Sequence, residues 1–132
     1  MNLVFVDTSA LLALINSEDS FHTSATRVLE ELSDRHVALF YSNFVRAETY
    51  TRLLHTKNPA VARKFLTGEP WPAERVLSVD EERAKEILLE YEDKYFSYVD
   101  ATSFAIMERF GTREAFSFDR HFAQFGMKAW GL

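Results

Sequence analysis

Leu3-Val4-Phe5-Val6-Asp7-Thr8-Ser9-Ala10 is the stretch on which the reading of this chain turns. Four apolar residues run into an aspartate, two hydroxyl residues follow, and a second apolar run, Ala10 to Ile15, begins at once. A short unbroken apolar run of this kind reads as a strand buried on both faces, as in a parallel sheet. Asp7 then stands at the carboxyl end of that strand, where a helix starts. Ligands of open α/β sheets bind at that edge. The expectation is that Asp7 is the first of several carboxylates gathered there to hold a metal.

Downstream, strand and helix signals alternate. A short helix is expected over 10–16 and an amphipathic one over 22–32, with Ala25, Val28, Leu29 and Leu32 on one stripe. Val37 to Tyr41 reads as a second strand. Ser42 or Asn43 caps the helix after it, which runs to about His55. Asn58-Pro59 opens a further helix that ends near Gly68. Val76 to Val79 reads as a third strand, with Asp80 as N-cap of a helix reaching about Lys94. A helix from about Asp100 to Gly111, a strand over 115–118 ending at Asp119, and an edge strand over 127–130 complete the pattern. The fold class expected is α/β: a three-layer α/β/α sandwich with a mainly parallel sheet of four or five strands.

The 132 residues suit one domain over 1–132, and 47% hydrophobic residues with 12 Phe provide enough to bury. Without cysteine there is no disulfide and no thiolate metal site. The strand-like start has no basic leader, and the longest apolar run is far short of the about 20 residues a membrane span needs. A cytoplasmic protein with no membrane partner is therefore expected. A net charge of −5 argues against a generic basic nucleic-acid binder, but the charge is polarised. Between positions 43 and 67, Arg46, Arg52, Lys57, Arg63 and Lys64 face Glu48 alone, whereas 80–93 holds seven acids against Arg83 and Lys85. Such a surface can still offer a polyanion a local positive region, and Arg46, Arg52, Arg63 and Lys64 are the RNA-binding candidates.

Two strand runs end in aspartate, Asp7 and Asp119; Asp100 starts an apolar helix; Glu48 lies in the helix after strand two. Singly, each has a plain explanation. The aspartates suit helix caps contributing roughly 1 kcal/mol. Glu48 suits an i,i+4 pair with Arg52, contributing about 0.3–0.5 kcal/mol. Together they say more. Two carboxylates about 4 Å apart repel by about 4 kcal/mol at an effective dielectric of 20. A divalent cation relieves that repulsion, and all-oxygen ligands suit Mg²⁺ or Mn²⁺.

Val-Phe-Val-Asp7-Thr-Ser, Arg-Ala-Glu48-Thr, Ser-Tyr-Val-Asp100-Ala-Thr-Ser-Phe-Ala and Phe-Ser-Phe-Asp119-Arg-His-Phe resemble, in order, the four motifs of PIN-domain ribonucleases. The likeness is greatest to the small VapC-type toxins of type II toxin–antitoxin pairs. It implies a PIN fold, metal-dependent endoribonuclease activity, and Asp7, Glu48, Asp100 and Asp119 as the acidic quartet. It implies one or two Mg²⁺ or Mn²⁺ ions, one activating a water and the other stabilising the leaving oxygen, about 3.5–4 Å apart. Asp7 and Asp100 are then the first ligands, completed by Asp119 and Glu48 directly or through water. Thr8 and Ser9 would steady Asp7 or touch the phosphate, and Thr102 and Ser103 would do so beside Asp100, unless they serve as local helix caps. By the same resemblance the partners are an RNA substrate, a cognate antitoxin and a second copy in a homodimer.

Tyr91, Tyr95, Phe96 and Tyr98 form an aromatic cluster that suits base stacking or, more plainly, packing. His121 is close enough to Asp119 for a general acid or phosphate contact, or is a packing residue. Competing readings are a PIN-like RNA- or protein-binding module without cleavage, and a PIN nuclease of RNA processing without antitoxin. A haloacid-dehalogenase-like phosphatase would want an acid where Ser9 stands. A receiver domain would want a lysine soon after the fourth strand, and none follows closely.

Overall fold

A computed structural model describes residues 2–132. Five strands, β1 (Leu3–Val6), β2 (Ala38–Ser42), β3 (Ala73–Glu74), β4 (Glu114–Phe116) and β5 (Lys128–Trp130), form one sheet in the order β3-β2-β1-β4-β5. Every pairing is parallel, with Phe5 beside Phe40 on one side and Ala115 on the other. Among the described residues seven helices flank it: α1 (Thr8–Ile15), α2 (His22–Asp34), α3 (Asn43–Thr56), α4 (Pro59–Thr67), α5 (Ser78–Glu90), α6 (Tyr98–Phe110) and α7 (Arg120–Gln124). The α/β sandwich expected from the alternating pattern is therefore present, with β5 at an edge as read.

The opening strand is the sheet's middle strand, and this explains its composition. Val4, Phe5 and Val6 have no exposed surface. Phe5 meets Phe40 edge-on at 5.4 Å and Phe122 at 6.3 Å. Burying one such side chain contributes about 2–3 kcal/mol. The chain runs from β1 outward to β2 and β3, then returns to the other side of β1 for β4 and β5. The order reverses between β1 and β4, and a crevice opens at the carboxyl ends of those two strands. Asp7 follows β1 and Ser117 to Asp119 follow β4, so both walls of the crevice carry polar groups.

Three expectations need correction. The third strand is Ala73–Glu74, not 76–79, and Ser78 already begins α5. Asp80 is not the N-cap of α5. It lies inside the first turn, where its carboxylate accepts the Leu77 backbone N–H at 2.8 Å. The same carboxylate, 2% exposed, is gripped by the Arg109 guanidinium at 2.8 and 2.9 Å. Those contacts anchor the first turn of α5, with Val76 and Leu77 left as the connection before it. The helix stops at Glu90 rather than Lys94. At the far end of α6, Gly111 ends the helix in the left-handed region (φ 75°), a conformation that suits glycine.

Candidate active site

Asp7 occupies the N-cap position of α1 with extended backbone, yet its carboxylate makes no cap hydrogen bond. The capping explanation of this residue therefore fails. Its Oδ2 accepts from Ser9 Oγ and Ser117 Oγ, both at 3.0 Å. Ser9 Oγ in turn accepts the Phe118 N–H, and Ser117 Oγ accepts the Asp119 N–H, each at 3.0 Å. Asp7 N–H donates to Phe116 O at 3.0 Å. The two serines thus lace the end of β1 to the end of β4 and fix the carboxylate between them.

Asp7 is only 5% exposed, and burial raises its carboxyl from 3.8 to about 6. The negative charge of Asp100 adds to the rise, while the Ser9 and Ser117 hydroxyls oppose it. A carboxylate kept this dry, facing a second one, is poorly compensated by the protein alone.

Asp100 does not start its helix as the sequence suggested. Ser97 is the N-cap of α6 and Asp100 lies three residues in. Ser97 Oγ accepts the Asp100 N–H at 2.9 Å and Asp100 Oδ2 accepts the Ser97 N–H at 3.0 Å, a reciprocal capping box. The same Oδ2 receives His121 Nδ1 at 2.6 Å. Asp119 caps α7 by accepting the His121 N–H at 2.9 Å, and its Oδ1 lies 3.4 Å from His121 Nδ1. Ligand atoms of Asp100, Asp119 and His121 all lie within 4.8 Å of one another.

Asp7, Glu48, Asp100 and Asp119 line one cleft of about 250 Å³ together with Thr8, Ser9 and His121. All four predicted acids are thus brought to one place. Glu48 is half-buried, and the i,i+4 ion pair with Arg52 is not formed among the described residues. Arg52 lines the cleft itself. Thr8 Oγ1 is buried and has no hydrogen-bond partner among the described residues. A buried hydroxyl without a partner, beside under-compensated carboxylates, marks a place built for a further group. A hard divalent cation with its waters fits that donor set.

Other predicted residues lie elsewhere. The Thr102 and Ser103 hydroxyls, fully buried, both donate to Val99 O at 2.8 Å, so they serve α6's own backbone. Arg46 is held by Glu69 at 2.9 Å, and Glu69 also receives the Tyr41 hydroxyl at 2.8 Å, so Arg46 braces the fold. Arg63 and Lys64 are exposed on α4, and Lys64 borders a different groove with Phe65 and Pro70. The aromatic cluster divides. Tyr91 and Phe96 pack on Phe125, while Tyr95 is 91% exposed and the Tyr98 hydroxyl donates to Glu81.

Sequence reasoning missed Ser117 and Ser97. Ser117 had a signal: it stands two residues before Asp119, the mirror of Ser9 standing two residues after Asp7.

The family model for the PIN domain matches residues 4–128. The 23S rRNA-specific endonuclease VapC20 of Mycobacterium tuberculosis is 33% identical over 127 residues, covering 94% of this chain and 95% of that protein. Ribonuclease VapC26 of the same organism is 30% identical over 125 residues, covering 91% and 90%. The crystal structure of VapC20, described as a sarcin-ricin loop cleaving toxin, superposes with a TM-score of 0.84 at 32% identity, covering 94% of this chain and 95% of that one. VapBC2 from Rickettsia felis, bound to a DNA fragment from its promoter, gives 0.72 at 14% identity over 96% of each chain, a likeness of fold. With all four motif acids in one cleft at the carboxyl edge of a parallel sheet, the chain belongs to the PIN-domain family and is a member of its VapC type.

Proposed function

We propose that this chain is a metal-dependent endoribonuclease, the toxin of a type II toxin–antitoxin pair, with Asp7, Glu48, Asp100 and Asp119 as its catalytic and metal-holding residues. The observation that carries the reading is Asp7 itself: a buried carboxylate pushed up to about 6, committed to no cap, facing Asp100 across a cleft. Structure alone gives no reason to keep such a charge there. A divalent ion bound in the cleft, Mg²⁺ or Mn²⁺, supplies activation of the attacking water and neutralisation of the scissile phosphate. Asp100, Asp119 and Asp7 would hold it, with Asp7 fixed in the cleft by Ser9 and Ser117. Glu48, without an ion-pair partner among the described residues, would complete the site directly or through water. Thr8, whose buried hydroxyl has no partner among the described residues, stands beside Asp7 in the cleft lining. Arg52 is the candidate for a neighbouring phosphate of the RNA. Of the four basic candidates it alone borders the cleft, so the RNA contact is assigned there.

The likeness to VapC20 along 94% of the chain makes structured ribosomal RNA the first substrate to try. Action in the cytoplasm, a homodimer and a cognate antitoxin complete the reading. The test is digestion of total RNA and intact ribosomes with 5′-end mapping, in Mg²⁺, in Mn²⁺ and in EDTA. Discrete cleavage that EDTA abolishes is expected. Persistence of the same ends with an Asp7→Asn, Asp100→Asn double variant would overturn the proposal. An adjoining small open reading frame whose product co-purifies with the chain and silences cleavage is the matching test for the antitoxin.

A further inference from the structure

We infer that His121 is itself a ligand in the metal centre, which makes the site a mixed carboxylate–imidazole one that prefers Mn²⁺ to Mg²⁺. The inference rests on the metal-dependent reading above and adds a nitrogen donor to it. His121 Nδ1 lies 2.6 Å from Asp100 Oδ2 and 3.4 Å from Asp119 Oδ1. Two donors on neighbouring positions of one ion, each about 2.1–2.2 Å from it, are about 3.0 Å apart in an octahedron and about 3.5 Å apart in a tetrahedron. The two observed separations straddle the octahedral spacing, so a shift of a few tenths of an ångström admits the ion.

The ring is fixed in that position. It packs edge-on against Phe96 at 5.5 Å, and its own backbone N–H is held by the Asp119 carboxylate at 2.9 Å. A hydrogen bond from Nδ1 to the ionised Asp100 carboxylate requires the ring proton on Nδ1. Neutral imidazole carries its proton on either nitrogen. With the proton on the other nitrogen, the Nδ1 lone pair points between two carboxylates. His22 shows the plainer alternative, with its Nδ1 against the Ala13 backbone carbonyl at 2.7 Å. A second feature points independently to a bound group at this place. Thr8, 3% exposed, lines the same cleft with a hydroxyl that finds no partner among the described residues. Mg²⁺ takes oxygen donors and keeps its waters, whereas an imidazole nitrogen favours transition ions. The nitrogen is therefore expected to set the preference for Mn²⁺.

The test titrates Mn²⁺ and Mg²⁺ separately into the wild-type protein, His121→Ala and His121→Asn, by calorimetry. Pulsed EPR of the Mn²⁺-loaded proteins reads nitrogen coupling. The wild type is expected to show one imidazole ¹⁴N coupling, which changes to ¹⁵N on histidine labelling and is absent from both variants. Mn²⁺ affinity is expected to fall at least about tenfold in His121→Ala, with Mg²⁺ affinity falling less than threefold. His121→Asn retains a side chain able to hold Asp100 but offers no imidazole, so it is expected to keep the alanine variant's loss of Mn²⁺ preference. Equal losses for both ions, or recovery of the preference with asparagine, would mean that His121 only positions Asp100, and would overturn the inference. Wild-type protein that cleaves RNA with no nitrogen coupling would overturn the ligand role and leave the nuclease reading standing. Protein that binds neither ion would overturn both.

Discussion

Replacing Asp7 with asparagine is expected to stabilise the metal-free protein while abolishing its activity, and the size of the effect should follow pH. The folded carboxyl is raised from 3.8 to about 6, chiefly by burial and then by Asp100. A raised acid in the folded state means that the folded protein binds the proton more tightly than the unfolded chain does. The ionised residue therefore costs stability: almost nothing below pH 3.8, more as pH rises through about 6, and the full amount above it. The full amount is about 3 kcal/mol, and about 1 kcal/mol is already present at pH 4.5. Asparagine carries no charge at any pH, and its carbonyl can still accept from Ser9 and Ser117. The stability difference between variant and wild type should thus move in the variant's favour by about 2 kcal/mol between pH 4.5 and pH 8. All other titrating groups are common to the two proteins and largely cancel. The assay is urea unfolding in EDTA at several pH values, with the slope checked for constancy. Addition of Mn²⁺ at pH 8 should narrow or reverse the difference, because the wild type, with the Asp7 charge in the cleft, gains more binding energy than the variant. A difference independent of pH would refute the argument that a buried charge at Asp7 opposes folding.

Three further outcomes follow from single contacts. Arg109→Leu leaves the Asp80 carboxylate buried without its cation, so stability should fall by about 3 kcal/mol in urea unfolding at pH 7. Gly131→Ala should cost about 1–3 kcal/mol, since φ is +116° and the new Cβ would lie 2.9 Å from Ser117 O and from Phe118 Cε1. Because Ser117 holds Asp7, the same variant should also weaken Mn²⁺ binding measured by calorimetry. Arg52→Gln should lower RNA affinity and reduce the salt dependence of binding by about one phosphate contact, whereas Arg46→Gln should reduce stability through the lost Glu69 pair.

Much of the fold was legible because its signals are local. A short apolar run ending in Val6-Asp7 reads as an interior strand, and β1 is the middle of the sheet. The third strand was misread because Val76 to Val79 is as apolar as a strand. Only residues 78–79 of it enter α5, whose first turn is anchored by Asp80 meeting Arg109, 29 positions away and invisible to local pattern. The acids were legible as a set through motif order, and the cleft contains all four. Their supports were less so. Thr102 and Ser103 looked like site residues because they stand near Asp100, but helix geometry turns their hydroxyls back to Val99 O. Ser117 reaches Asp7 across 110 positions, and His121 reaches Asp100 across 21, contacts made only when β4 and α7 fold against β1 and α6.

The central claim is that the carboxylates at the carboxyl edge of this sheet form a metal centre. Anomalous diffraction from crystals grown with Mn²⁺ tests it most directly. The account predicts a peak in the cleft within about 2.2 Å of Asp100 and Asp119 oxygens, absent from crystals of Asp100→Asn. A Mn²⁺ peak only outside the cleft, or one unchanged in that variant, would contradict it.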